Sequence, residues 1–372
     1  MTHESILVVD DEPEKARAAL EVELAGKVDI VSPSELTIEQ LKDARLVLVD
    51  HDLRDWPERS VGPVSNSPQD GVALASVLRS HLVDHDRPVA VALYSANLDK
   101  VTRGLNQPPE HIAARAAQLD WAFSKLAVGG LGTQASRIAE FAAAVLMLPK
   151  EWPSETEAIQ KSLRELLRLE DSRWQAGALR DVERSRPPIH QLAKWTDGVA
   201  VIRWLAQRVL PYPTFLRSTA QLAVRLGVTP QWLSENFTTG APLQLALENA
   251  RYRGILSEFL GARWWMPGVE NILWTELKES ALDFASVREW ASGKANAKVA
   301  QPITDEHTLV VDERLRLTGE TALFADCVRL QPDDWPVFAE SPWTTITLAK
   351  ASPTLRQIVS PSDLERLGGG VE

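Results

Sequence analysis

The sequence predicts an α/β protein: a doubly wound parallel sheet first, then a mainly helical part and a small part that contains β-strands. The run Leu46–Val49 is too short for a free-standing helix and is apolar on both faces, as a central strand of a parallel sheet is. Similar runs alternate with stretches of helical length that are rich in Ala and Leu. Several runs also end abruptly at a polar residue, of which Asp50 is one.

Residues 1–148 alternate strand and helix patterns throughout. Five short apolar runs are predicted as strands: Ile6–Val9, Val28–Val31, Leu46–Val49, Val89–Tyr94 and Trp121–Phe123. Five further stretches are predicted as helices: Glu14–Ala25, Ser34–Ala44, Asp70–Leu82, Asp99–Gln118 and Thr133–Met147. Ser34 is predicted as an N-cap, because a serine hydroxyl accepts a hydrogen bond from the first turn of a helix.

Three carboxylates, a hydroxyl and an ammonium group follow these predicted strands. Asp10 and Asp11 follow the first strand and Asp50 the third, whereas Ser95 and Lys125 come after the fourth and fifth. In open α/β sheets, ligands bind beyond the carboxyl ends of the strands. Clustered carboxylates repel one another unless a cation neutralises them, so an oxygen-seeking Mg²⁺ fits this set. The alternative is that these residues are only solvated strand ends.

In order, spacing and chemistry, residues 1–148 resemble the receiver domain of two-component response regulators. The resemblance implies a flavodoxin-like fold and a phosphoryl group accepted on Asp50 from a histidine kinase or a phosphotransfer protein. It implies that Asp10, Asp11, Asp50 and the backbone carbonyl of Asp52 bind Mg²⁺. It also implies that Ser95 is the switch hydroxyl and that Lys125 pairs with the phosphoryl group.

The chain departs from the receiver pattern at two places beside these residues. The stretch Arg54–Gln69, rich in Pro, Ser and Arg, separates the predicted phosphoacceptor from the next helix. Leu126 follows Lys125, where the family usually has a proline. We therefore expect the insertion to take part in passing on the state of the site.

Length and composition set the class of protein. The chain has 372 residues, which is enough for two domains, and 44% of them are hydrophobic. One cysteine excludes a disulfide framework, and a net charge of −11 argues against a general nucleic-acid coat. The longest apolar run, Phe141–Leu148, is too short to span a bilayer. With no predicted secretory signal, we expect a cytoplasmic protein without membrane contact.

The rest of the chain is predicted to hold a linker and two further parts. Residues 149–154 break the alternating pattern and are the predicted linker, followed by a mainly α domain at 155–300 and a small α+β segment at 301–372. Helical spacing predicts the stretches Glu155–Arg186, His190–Val209, Thr214–Leu226, Pro230–Asn236, Pro242–Leu260 and Val269–Leu282. Short apolar runs predict strands at Thr308–Val311, Arg314–Thr318, Cys327–Leu330 and Trp343–Leu348.

The stretch Gln221–Leu233 weakly resembles a helix-turn-helix. Ala223 would permit close crossing of two helices, and Gly227 would allow the sharp turn between them. The predicted second helix carries Glu235 and no Lys or Arg, whereas a helix that reads DNA normally offers basic or amide side chains. Packing within an α-domain is the alternative that we favour over DNA reading.

Three functions remain open at this stage. The first is a response-regulator-like signalling protein with an atypical C-terminal output or interaction module, whose own chemistry is limited to accepting and losing the phosphoryl group. The second is a transcription regulator that binds DNA through the helix-turn-helix. The third is a scaffold or defence-system component in which the receiver-like domain is a protein-binding module. We see no catalytic constellation in residues 155–372.

Overall fold

A computed structural model describes residues 6–20, 24, 27–54, 68, 70–83, 85, 87–102, 109–126, 130–169, 173–195 and 198–368. These residues fall into two compact units. The first unit comprises the described residues within Met1–Arg168, Pro187–Pro211 and Gly254–Leu260, and the second comprises those within Leu169–Arg186, Tyr212–Arg253 and Gly261–Glu372. The predicted linker at 149–154 therefore lies inside the first unit, and the domain division stays a prediction.

The first unit contains a five-stranded parallel sheet, which confirms the predicted α/β class. In chain order its elements are β1 (Ile6–Val9), α1 (Pro13–Leu20), β2 (Val28–Val31), α2 (Ile38–Asp43), β3 (Leu46–Val49), α3 (Gly71–Ser80), β4 (Ala90–Ser95), α4 (Glu110–Ala116), β5 (Trp121–Ser124) and α5 (Gly130–Leu146). The strand order is β2-β1-β3-β4-β5 and every neighbouring pair is parallel. All side chains of β1, β3 and β4 are buried, which is why these strands read as unbroken apolar runs.

The helices that connect these strands differ from the predicted ones mainly at their ends. The second helix begins at Ile38 rather than near Ser34, because Thr37 and Gln40 form a reciprocal capping box there. The predicted fourth helix, Asp99–Gln118, is divided: a 3₁₀ turn covers Leu98–Lys100 and α4 begins only at Glu110. Residues 103–108, between these two elements, lie outside the described residues.

Later segments of the chain complete the first unit. They are α6 (Thr156–Leu166), α8 (Ile189–Trp195), α9 (Val199–Trp204) with a π-helical turn at Leu205–Val209, and the segment Gly254–Leu260, whereas α7 (Gln175–Arg184) belongs to the second unit. The π-helical turn packs on α4, and α9 packs on α5. These later segments therefore cover α4 and α5, the two helices that pack on β5.

A buried carboxylate anchors this covering at the beginning of β5. Asp120 is 2% exposed and accepts two hydrogen bonds from Arg203, at 3.0 and 2.7 Å. Its other oxygen accepts from the backbone N–H of Val91 at 2.7 Å, and Arg79 forms a further ion pair at 3.1 Å. Gln207 adds hydrogen bonds to the carbonyls of Leu119 and Asp120.

The second unit is helical with two small sheets, in line with the predicted helical part and β-containing end. Its remaining elements are β6 (Leu216–Ser218), α10 (Thr219–Arg225), α11 (Pro230–Asn236), α12 (Pro242–Leu247), β7 (Arg263–Trp265), α13 (Met266–Leu277), α14 (Phe284–Ala295), β8 (His307–Val311), β9 (Leu317–Leu323), β10 (Cys327–Arg329), β11 (Trp343–Thr345), α15 (Ile346–Ala351) and α16 (Pro353–Gln357). Strands β8 to β11 form one sheet in the order β10-β11-β8-β9, and β6 pairs antiparallel with β7.

The stretch that resembles a helix-turn-helix forms two packed helices joined at a glycine. Gly227, between α10 and α11, has φ of 71°, and a Cβ there would lie 3.0 Å from the carbonyl oxygen of Phe284. The predicted helix Thr214–Leu226 is wrong at its beginning, because Leu216–Ser218 is strand β6. Ser218 and Thr229 cap the two helices by accepting backbone hydrogen bonds.

Among the described residues, no helix combines the length and the apolar character needed to cross a membrane.

Candidate functional site

The parallel sheet brings the predicted site residues to one edge. The backbone N–H of Asp50 donates to the carbonyl of Val9 at 2.9 Å, and that of Asp10 donates to Val31 at 3.1 Å. The hydrogen-bond ladder thus continues one residue beyond β1 and β3 and holds both aspartates in register. Asp10 and Asp50 lie side by side because they follow neighbouring strands, as the sequence pattern predicted.

Three carboxylates form a cluster at this edge. Oxygen atoms of Asp10, Asp11 and Asp50 all lie within 4.8 Å of one another. Asp10 is only 4% exposed, and one of its oxygens accepts the backbone N–H of Glu12 at 2.9 Å. Buried carboxylates at such separations repel strongly and need a compensating cation.

Lys125 supplies one such cation. Its Nζ lies 3.0 Å from Oδ1 of Asp50 and 3.1 Å from Oδ2 of Asp10, so one ammonium group bridges two carboxylates. The same Nζ lies 5.1 Å from the centre of the Tyr94 ring. The backbone N–H of Lys125 donates to the carbonyl of Ser95 at 2.9 Å, which fixes where the side chain starts.

The protonation of Asp50 and Lys125 reflects burial and mutual attraction. Burial raises the pKa of Asp50, and the negative charge of Asp10 raises it further, against the opposing effect of Lys125. Burial alone would lower the pKa of Lys125, but attraction to Asp50 and Asp10 outweighs it, and the net pKa is raised. The ammonium form of Lys125 is therefore well stabilised, whereas the charge of Asp50 is only partly compensated.

Ser95, the last residue of β4, and Asp52, in the loop after β3, border this cluster. Ser95 is 3% exposed, and its Oγ accepts the backbone N–H of Asn97 at 3.1 Å. The Asp52 carboxylate pairs with Lys100 at 3.1 Å and with Arg54 at 2.6 Å. Burial would raise the pKa of Asp52, but these two cations outweigh it and lower the pKa. Lys100 therefore links the loop after β4 to the loop after β3.

Gly71 was not singled out from the sequence, yet the backbone at Asp50 depends on it. A Cβ built on Gly71 would lie 1.9 Å from the carbonyl oxygen of Asp50, which no side chain can satisfy. The N–H of Gly71 donates to the carbonyl of His51 at 2.9 Å. Helix α3 thus begins in contact with the phosphoacceptor candidate, and the Asp70-Gly71 pair was the available sequence signal.

The donor set fits Mg²⁺. Each of the three clustered side chains offers a carboxylate oxygen, the hard ligand that Mg²⁺ takes in proteins, and the cluster carries more negative charge than Lys125 offsets. Asp10, Asp11 and Asp50 are the side chains that could hold the ion. The backbone carbonyl of Asp52 stays a prediction as a fourth ligand. Of the insertion Arg54–Gln69, residues 55–67 and 69 lie outside the described residues.

The helix-turn-helix region offers little to nucleic acid. The solvent-facing side chains of α11 are Gln231, Ser234 and Glu235. Arg225 on α10 is bound to Glu270 by two hydrogen bonds at 2.5 and 2.7 Å. Arg225, the basic residue of these two helices, is thus engaged within the protein, and DNA binding stays an alternative without support from the site.

Comparison of the chain with models of protein families, with curated proteins and with solved structures found no match.

Proposed function

We propose that the first unit is a receiver-like, flavodoxin-like domain that accepts a phosphoryl group on Asp50 from a histidine kinase or a phosphotransfer protein. The sheet order β2-β1-β3-β4-β5 is that of flavodoxin-like proteins, in which ligands bind where the strand order reverses, beside β1 and β3. The candidate cluster lies there. The remainder of the chain is, in this proposal, an atypical output or interaction module.

The observation that carries the proposal is the position of Lys125 between Asp10 and Asp50. A phosphoryl group on Asp50 brings further negative charge beside two carboxylates, so a fixed ammonium group within hydrogen-bond distance is a prerequisite. Lys125 is held there by its own backbone bond to Ser95. A solvated strand end would not need a half-buried lysine with two carboxylate partners.

The reaction would use the ionised carboxylate of Asp50 as the nucleophile. An oxygen of Asp50 attacks the phosphorus of a phosphohistidine, an O–P bond forms, and the N–P bond breaks with its electron pair remaining on the imidazole nitrogen. Lys125 donates hydrogen bonds to the equatorial oxygens as their charge grows. Asp10, Asp11 and Asp50 would hold Mg²⁺, which supplies further positive charge to those oxygens. The hydroxyl of Ser95 could then donate to the phosphoryl group.

Small-molecule phosphodonors allow a direct test on the full chain. Incubation with acetyl phosphate and Mg²⁺ should add one phosphoryl group, seen by intact mass spectrometry and removed by hydroxylamine, as acyl phosphates are. Asp50→Asn should abolish the addition. Asp52→Asn is the matched control, because Asp52 lies two residues away and its carboxylate faces Lys100 and Arg54, and it should retain the addition.

The result that would overturn the proposal is equally specific. If the parent protein gains no phosphoryl group from acetyl phosphate or phosphoramidate in millimolar Mg²⁺, the cluster is not a phosphoacceptor site. Labelling that persists in Asp50→Asn would contradict the assignment of the nucleophile. In the first case a fixed protein-binding module would be the better interpretation of the first unit.

A further inference from the structure

A second polar network lies immediately behind Lys125. Oε1 of Glu110 accepts the backbone N–H of Ser124 at 2.9 Å, and Ser124 is the residue that precedes Lys125. The same oxygen accepts from Gln134 at 3.3 Å, and Oε2 pairs with the guanidinium of Arg137. Glu110 and Arg137 are each only 16% exposed. A largely buried ion pair therefore holds the end of β5, from which Lys125 projects.

Arg137 extends the network to a segment distant in the sequence. Its Nε donates to the carbonyl of Phe259 at 3.1 Å, and its Nη1 donates to Gln134 at 3.1 Å. The guanidinium also lies over the Phe259 ring, 5.0 Å from its centre, and 5.9 Å from that of Trp121. The Arg137 side chain thus contacts both the backbone carbonyl and the ring of Phe259.

The segment Gly254–Leu260 is firmly held in the first unit. Phe259 is fully buried and packs edge-on against Trp121, with ring centres 5.0 Å apart. Glu140 on α5 accepts the backbone N–H of Glu258 at 2.7 Å. Leu256 has φ of 61°, a conformation unfavourable for leucine that persists only where surrounding contacts enforce it.

We propose that Glu110 and Arg137 are positioning residues for Lys125, and that Gly254–Leu260 completes the phosphoacceptor site by holding Arg137. The inference rests on the proposed function and adds a requirement to it. The Lys125 side chain must place its Nζ between two carboxylates, and its backbone is fixed on one side by Ser95 and on the other by the Ser124–Glu110 bond. Loss of Arg137 leaves Glu110 without its charged partner. The bond from Glu110 to the backbone of Ser124 is then no longer held in place.

A double-mutant cycle in the full chain tests this inference, with fluoroberyllate in Mg²⁺ as the phosphoryl mimic. Arg137→Met should weaken fluoroberyllate affinity about tenfold, within the usual range of coupling between sites. Mg²⁺ affinity, measured without fluoroberyllate, should not fall, because Arg137→Met removes no carboxylate and moves away only the ammonium group that competes with the ion for Asp10 and Asp50. Arg137→Lys keeps a charge beside Glu110 and should recover part of the loss. In a Lys125→Met background, Arg137→Met should have no further effect.

Arg203→Met is the matched control for loss of stability. Arg203 also forms an ion pair with a buried carboxylate, Asp120, but at the opposite end of β5 from Lys125. The Arg203→Met variant should lower the stability of the first unit. At temperatures below its unfolding transition, it should bind fluoroberyllate as tightly as the parent does. Hydrogen exchange supplies a second measurement: fluoroberyllate should change protection at 255–259 in the parent and not in Arg137→Met.

The outcomes separate this inference from the proposed function. If the parent binds fluoroberyllate and Arg137→Met binds it equally well, or Arg203→Met loses as much affinity, the positioning role is refuted and the proposed function stands. If Arg137→Met weakens binding as much in the Lys125→Met background, its effect does not pass through Lys125, and the inference is again refuted. If the parent binds no fluoroberyllate at all, both are refuted.

Discussion

At the residue scale, Asp50 and Asp52 experience opposite electrostatic surroundings although one residue separates them. Asp50 is buried beside Asp10, which raises its pKa, whereas the pKa of Asp52 is lowered by Lys100 and Arg54 despite its partial burial. A raised carboxyl pKa means that the folded state binds protons more tightly than the unfolded chain does. The ionised form of Asp50 therefore costs stability, while that of Asp52 contributes it.

This contrast predicts opposite effects of two amide substitutions on the free energy of unfolding. Asp50→Asn should stabilise the protein at pH 7, and the gain should vanish as the pH falls through the raised pKa of Asp50 towards 3.8, because the parent residue then becomes protonated. Asp52→Asn should destabilise it at pH 7, with the difference lost only below 3.8, as the pH passes the lowered pKa. Urea unfolding at several pH values measures both. Destabilisation by both variants at pH 7 would contradict the assignment for Asp50.

At the element scale, helix α3 can begin where it does only because its first residue is glycine. The Gly71 backbone passes so close to the Asp50 carbonyl that an added Cβ would overlap it, at 1.9 Å. The Cβ and the carbonyl oxygen are both fixed to the backbone. The overlap can therefore be removed only if the backbone of α3 or of the loop after β3 moves. The start of the helix and the geometry of the candidate site therefore depend on the same close contact between Gly71 and Asp50.

Gly71→Ala should destabilise the protein by about 3 kcal/mol, at the upper end of the usual cost of overpacking, and should reduce phosphoryl transfer to Asp50. Gly293→Ala is the matched control, because Gly293 lies inside α14 with nothing within 4 Å of an added Cβ. That substitution should stabilise the protein by about 0.5–1 kcal/mol through helix propensity. Denaturant unfolding and the acetyl phosphate assay measure the two effects. Equal stability of the two variants would contradict the close contact at Asp50.

The strands of the parallel sheet could be predicted from the sequence, whereas several helix boundaries and several strands of the second unit could not. Apolar runs such as Leu46–Val49 are determined by burial on both faces, a signal that four residues carry on their own. Ser34 and Thr37 are both possible N-caps for α2. The helix begins after Thr37 because the Gln40 side chain completes a capping box with it. Strand β6 was missed because a three-residue strand has too few residues to show a period.

The candidate site was predicted to the extent that it depends on strand ends. Asp10, Asp11, Asp50 and Lys125 come together because parallel strands place their carboxyl ends at one edge. The Glu110–Arg137 pair could not be predicted. Its partners lie on separate elements, and charged residues on helices normally face solvent.

At the scale of the whole molecule, the first unit is assembled from three stretches of chain that are far apart in sequence. Asp120 joins two of them, because it accepts hydrogen bonds from Arg203 and from the backbone of Val91. Such a buried carboxylate is costly to leave unpaired, so its partners must be in place when the unit is folded. No periodicity in residues 187–211 indicates this role, since one arginine and one glutamine carry it.

Asp120→Ala should lower the free energy of unfolding by about 3 kcal/mol, since it leaves the Val91 N–H without its acceptor and two guanidinium groups without their carboxylate. Glu14→Ala removes an exposed pair with Arg17 at 4.0 Å and should cost less than about 1 kcal/mol. Chemical denaturation of both variants checks the difference. A loss at Asp120 no larger than at Glu14 would show that the anchor contributes little.

The burial of Phe259 in the first unit has a consequence for how the protein is made. Translation delivers the five strands of the sheet early, but Phe259 leaves the ribosome only after the chain has grown by more than a hundred further residues. At roughly 5–20 residues per second, the interval between synthesis of Trp121 and synthesis of Phe259 is about 7–28 seconds. During that interval the nascent sheet exposes an apolar flank, and a gene fragment that encodes the sheet alone would make this exposure permanent.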